Sequence, residues 1–136
     1  MRPEFLTVED VIEIHESQLE RFGGSDGLRD RGLLESAVAQ PQMTFGGEFV
    51  HVDLFAMGAA YLFHLVANHA FVDGNKRVGL LAALVFLDIN GIRIERDSEL
   101  LLELTLAVAE GHADKHQVAG ILRRASEHMS TGAADR

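Results

Sequence analysis

Nine consecutive residues gather side chains suited to chemistry: His69-Ala70-Phe71-Val72-Asp73-Gly74-Asn75-Lys76-Arg77. Lys76 and Arg77 are the only Lys or Arg residues between Gly32 and Ile92, and they are adjacent. They open a helical stretch, with Asn75 expected at its N-cap and Gly74 allowing a tight turn before it. A helix start presents free backbone N–H groups and partial positive charge, which suits a phosphate. Asp73 beside such a site would repel the ligand unless it held a divalent cation such as Mg²⁺ that also binds the phosphates. His69 stands four residues earlier, and an imidazole can take a proton from an attacking hydroxyl. Phe71 is expected to anchor the turn to the core. The set suits transfer of a phosphorus group from a nucleotide to a hydroxyl, where positioning and charge stabilisation do most of the work.

Each part alone has a plainer reading: a histidine cap, an Asp-Gly-Asn turn, a solvated Lys-Arg pair. The combination gains weight from its neighbours. The segment before it, Leu54–Asn68, is apolar on nearly every face, and Val78–Leu87 after it carries no polar side chain. Helices apolar all round lie in the middle of a domain, so this joint connects two core helices.

Four further helices complete the expected architecture. The first spans about Thr7 to Phe22, capped by Thr7 and stopped by Gly23-Gly24. A short second helix spans Arg31 to Ala39, with Asp30 as its cap and Arg29 as a possible contributor to the site rim. A fifth spans Ser98 to Glu110, capped by Asp97. A sixth begins after Asp114, where Asp114 and Gln117 resemble a capping box, and ends near His128. Gln42–Val52, with Gly46 and Gly47, reads as a turn or loose hairpin. Its Met43, Phe45 and Phe49 are read as packing or as an edge for a protein substrate. Helices with short joints and no strand series imply an all-α bundle of six helices. The 136 residues form one domain over residues 1–129, with a frayed tail over 130–136.

Composition narrows the function. A net charge of −9 disfavours nucleic acid and anionic membranes as ligands. There is no cysteine, so thiolate metal sites and a cysteine nucleophile are excluded. No signal-like stretch opens the chain, and His64, Asn68 and His69 interrupt the one long apolar run, so a cytoplasmic protein is expected. His112 and His116 have a metal-ligand spacing, but Gly111 and Asp114 place a helix boundary there. His64 is read as a hydrogen-bonded core histidine, and Gly46-Gly47 lacks the Lys-Ser/Thr of a Walker loop.

The motif His-x-Phe-x-Asp-Gly-Asn-Lys-Arg resembles the signature of the Fic/Doc superfamily, in its Doc (death-on-curing) branch. Arg21-Phe22-Gly23-Gly24, Gly27-Leu28-Arg29-Asp30, Leu33-Leu34-Glu35-Ser36-Ala37 and Phe86-Leu87-Asp88-Ile89-Asn90-Gly91 also look like Doc-family segments. The resemblance implies a compact helical bundle with a short flap near the active site, placed at Gln42–Val52. It implies His69 as general base, Asp73 as the cation residue and Gly74 with Asn75 as the anion-binding turn. Lys76 and Arg77 become the phosphate-contacting pair and Phe71 the anchoring aromatic. The sequence departs from the Fic branch at Ala70, where those proteins usually have Pro, at Lys76, where they have Gly, and at Leu80, where they have a second Arg. These departures favour γ-phosphate transfer from ATP over AMP transfer. The resemblance further implies a toxin of a toxin-antitoxin pair, ATP and Mg²⁺ as cofactors, and elongation factor Tu as the type of target. A Phd-type antitoxin, its C-terminal segment in a groove, is the implied partner. AMP transfer to a protein hydroxyl, and a non-catalytic protein that arrests translation or regulates its operon by contact, are the alternatives.

Overall fold

The computed structural model describes residues 2–95 and 99–134, the last seven by backbone alone. Its helices are α1 (Val8–Phe22), α2 (Arg31–Ala39), α3 (Leu54–Asn68), α4 (Asn75–Ile89), α5 (Glu99–Ala109) and α6 (Lys115–Ala134). A 3₁₀ turn, Gln40–Gln42, follows α2, and a two-stranded antiparallel hairpin pairs β1 (Thr44–Phe45) with β2 (Glu48–Phe49). The all-α expectation holds.

Local chemistry sets the helix starts. The Thr7 hydroxyl accepts from Asp10 N–H at 3.0 Å, and the Asp10 carboxylate accepts from Thr7 N–H at 2.8 Å. Asp30 accepts from Leu33 N–H, and Asp53 from Ala56 N–H. Asp114 and Gln117 exchange the two hydrogen bonds of a capping box. Each such cap is worth about 1 kcal/mol. α6 continues to Ala134, past the end expected near His128, so residues 130–134 of the expected tail are helical. The cap assigned to Asp97, and Asp135 and Arg136, lie outside the described residues.

α3 and α4 form the centre, as their apolar faces require. Tyr61, Leu62, Phe86 and Leu87 are fully buried. The two helices approach closely at Gly79, where a Cβ would lie 2.7 Å from a Val66 methyl and 3.2 Å from the Leu62 carbonyl. α1 and α5 flank α4, while α2, α5 and α6 pack on α3. The N-terminal segment is pinned to the far end of α4, where the Asn90 amide bonds both the N–H and the carbonyl of Glu4.

The hairpin occupies its expected place in the chain but packs at that far end. Phe49 meets Phe5, which stacks on Phe86, eleven residues along α4 from Asn75. α3, a helix of fifteen residues and hence about 22 Å long, runs from the hairpin's end of the bundle to His69. A flap next to the joint would need a shorter helix between them.

Candidate active site

The α3–α4 joint is stitched to the segment Gly23–Asp30. Val72 N–H donates to the Gly27 carbonyl at 3.0 Å, and Arg29 N–H to the Ala70 carbonyl at 2.7 Å. Leu28 and Phe71 form an isolated antiparallel bridge. Ser25 N–H donates to Asp73 Oδ2 at 3.2 Å. At Gly24 (φ 118°) a Cβ would lie 2.8 Å from Asp73 Oδ2, so only glycine admits this approach. The loop after α1, read from sequence as a connection, is therefore the second wall of the site.

His69 ends α3 in the left-handed conformation (φ 49°, ψ 48°), the only non-glycine residue with positive φ among the described residues. Such a backbone costs roughly 1–2 kcal/mol outside glycine. It persists because Arg29 Nε and Nη2 both donate to the His69 carbonyl, Nε at 2.8 Å. The conformation turns the exposed imidazole onto a groove of about 700 Å³ between α4 and α5.

The same groove is lined by Asp73, Gly74, Asn75, Lys76 and Arg77, so the structure brings these expected site residues together with His69. Gly74 (φ 79°) is the residue that precedes α4. Each Asp73 oxygen accepts one backbone N–H, Oδ1 from Gly74 at 2.9 Å and Oδ2 from Ser25, which leaves a lone pair free on each. These two bonds, then the charges of Arg77 and His15, hold the Asp73 carboxyl below the usual carboxylate range. Lys76 is exposed on the groove and makes no ion pair with any described residue. Arg77 reaches toward α1, with Nη1 3.4 Å from the Gly23 carbonyl and its guanidinium 5.3 Å from the Phe22 ring centre. It forms the wall between the groove and a second cavity under α1.

Asn75 corrects the sequence reading. It is not the N-cap but the first residue of α4, and its buried amide turns back on the loop. Oδ1 accepts from Phe71 N–H at 3.1 Å, and Nδ2 donates to the Phe71 carbonyl at 3.0 Å. A side chain committed to a neighbouring backbone in this way shapes the anion turn and does not reach into it. What Asn75 offers a ligand is its own N–H at the helix start.

Phe71 is buried and anchors the loop as expected. It does so against a residue the sequence reading passed over. His15, on α1 and 2% exposed, stacks on Phe71 with ring centres 3.9 Å apart. A carbonyl can only accept, so His15 Nε2 carries a proton and donates it to the Asp73 carbonyl at 2.7 Å. The signal was available: Val8, Val11, Ile12, His15, Leu19 and Phe22 fall at helical spacing on one face, and one of them is a histidine.

The weaker candidates resolve simply. Asp30 caps α2, whereas Arg29 holds His69. His112 lies in the turn before α6, against Glu110 at 3.5 Å, and His116 lies within α6. Among the described residues no group of three or more His, Cys, Asp or Glu is placed to hold a metal ion. His64 Nε2 meets Lys115 Nζ at 3.1 Å, so it is hydrogen-bonded as expected, but half-buried at the edge of the core and not within it. No helix among the described residues is long and apolar enough to cross a membrane.

Comparison with known proteins places the chain in a family. The model of the Fic/DOC family matches residues 5–87, a span that holds the whole joint and the Gly23–Asp30 wall. The protein named "Protein kinase doc" from Escherichia phage P1 is 36% identical over 119 residues, 88% of this chain and 93% of that one. The protein named "Toxin Doc" from Mycolicibacterium smegmatis is 38% identical over 131 residues, 95% of this chain and 98% of that one.

Proposed function

The chain belongs to the Fic/DOC family, and from that premise we propose that it is a toxin that passes the γ-phosphate of ATP to a hydroxyl of a translation factor of the elongation factor Tu type. The observation that carries the reading is the convergence of His69, Asp73 and the open N-terminus of α4 on one groove. The imidazole there has no hydrogen-bond partner among the described residues, so its nitrogens are free for an incoming hydroxyl.

In this reading the amides at the start of α4 and the Lys76 ammonium hold the phosphates. Asp73, ionised and with a free lone pair on each oxygen, would hold Mg²⁺, which neutralises charge on the phosphates when bound. His69 removes the proton from the acceptor hydroxyl, for which ~10²–10⁴-fold in rate is typical. The acceptor oxygen bonds to the γ-phosphorus, the bond from phosphorus to the β,γ-bridging oxygen breaks, and ADP leaves. Lys76 occupies the position where AMP-transferring relatives have glycine, and the groove wall at Leu80 is apolar where they have arginine. Both favour the γ-phosphate as the group transferred, in keeping with the name of the phage relative. A Phd-type antitoxin is the partner that fits a toxin of this branch.

Induced expression in bacteria tests the reading. The parent chain should arrest growth, and His69→Ala, with its melting temperature preserved, should not. A folded His69→Ala variant as toxic as the parent would make contact, not chemistry, the mechanism.

A further inference from the structure

We propose that the cavity on the other side of His69, between the end of α3 and the α5–α6 turn, receives the hydroxyl-bearing segment of the protein acceptor. The inference rests on the function proposed above. His69 lines two hollows at once: the groove that carries Asp73 and Lys76, and a cavity of about 540 Å³ walled by Phe63, Val66 and Ala67 of α3 with Val108 and Ala113. The imidazole thus stands on the ridge between them, held there by its left-handed backbone and by Arg29.

The two hollows differ in chemistry. The groove has Lys76 and Arg77 in its lining, whereas no Lys or Arg lines the cavity. Phosphates belong in the first, and the second offers them no counter-charge. Its floor of Phe63, Val66 and Val108 is apolar, and its rim is polar but carries no Lys or Arg, with His112 beside Asp114 and Gln117, which are engaged in capping α6. Such walls suit a short neutral or basic segment that places a small apolar side chain beside its Ser or Thr. The cavity's volume of about 540 Å³ lies within the ~300–1,000 Å³ usual for small-ligand pockets, room enough for one or two side chains of a docked segment.

Transfer between two molecules needs the attacking oxygen opposite the leaving group, with the base within hydrogen-bond reach. A donor on the Lys76 side leaves the cavity side for the acceptor. The acceptor O–H then gives its proton to His69 across the ridge, its oxygen bonds to the γ-phosphorus, and ADP departs into the groove.

Two variants that fill the cavity from different walls test this. Ala113→Trp comes from the α5–α6 turn, and Ala67→Phe from an exposed position on α3. Each is scored for melting temperature, for affinity to ATP with Mg²⁺, and for growth arrest with γ-label transfer in bacterial extract. We expect ATP affinity within twofold of the parent, label transfer reduced at least tenfold and arrest lost, in whichever variants fold. Folded variants that arrest growth like the parent would overturn the proposal, and so would a tenfold loss of ATP affinity, which would give the cavity to the nucleotide. Failure of the parent to bind ATP, or toxicity that survives His69→Ala, would instead sink the underlying function.

Discussion

The carbonyl oxygen of Asp73 accepts a 2.7 Å hydrogen bond from His15 Nε2, across 58 residues of chain. The same imidazole lies flat on Phe71. One buried side chain of α1 therefore fixes both the anchor of the active-site loop and the peptide that carries its carboxylate.

Replacing His15 separates these two duties. His15→Leu removes the donor and leaves a buried carbonyl unpaired, which costs about 1–3 kcal/mol. Displacement of Asp73 and Gly74 by even 1 Å should lower phosphate transfer on the order of 10²-fold. His15→Asn, which keeps a donor, should recover part of the activity. Chemical denaturation and label transfer on both variants check this, and equal activity in the two would remove the hydrogen bond from the account.

His69 trades stability for placement. His69→Gly relieves the left-handed backbone, so the variant should be at least as stable as the parent while losing transfer altogether. Arg29→Ala should lower stability by about 1 kcal/mol and transfer by at least tenfold, because no other described side chain bonds the His69 carbonyl. A thermal melt of each, beside its activity, reads the sign of both effects.

Gly24 and Gly47 make a matched pair. Both have positive φ, 118° and 82°, so an alanine is strained at either. At Gly47 the Cβ meets open space, and Gly47→Ala should cost only the backbone term of ~1–2 kcal/mol with activity intact. At Gly24 the Cβ would meet the Asp73 carboxylate, so Gly24→Ala should also weaken Mg²⁺-dependent ATP binding. Isothermal titration with and without Mg²⁺ distinguishes the two.

Acid should weaken the fold through His64. Burial first, then the charges of Lys115 and His51, push its pKa down to about 4. The unfolded chain takes a proton near pH 6.5, so between pH 6.5 and 4 it binds more protons than the folded chain, and stability falls as pH falls. For a half-buried site the loss is on the order of 1 kcal/mol. His51, lowered mainly by burial and then by Lys115, adds in the same direction. Melts of the parent and His64→Gln from pH 7.5 to 4.5 check this: the variant should lose less stability over that range.

The bounds of α2 and α3 were legible because their caps, Asp30 and Asp53, act within three residues and their apolar runs stop cleanly. The candidate site at the joint was legible because Asp73, Lys76 and Arg77 interrupt two apolar helices. What stayed hidden depends on pairings far apart in the chain. His15 with Asp73, Ser25 with Asp73, and Arg29 with His69 leave no period in the sequence. Asn75 misled because an amide before a helix reads as a cap, whereas the left-handed Gly74 takes that place and frees the amide to bond Phe71. The hairpin's position could not be read either, since it follows from how Phe49 packs on Phe5.

Transfer of a labelled phosphate is the most direct test of the central claim. Purified protein is incubated with elongation factor Tu, Mg²⁺ and ATP labelled at the γ- or the α-position, beside folded His69→Ala. The account predicts label on the acceptor from the γ-position alone, abolished in His69→Ala. Label arriving only from the α-position, or γ-label undiminished in the variant, would contradict it.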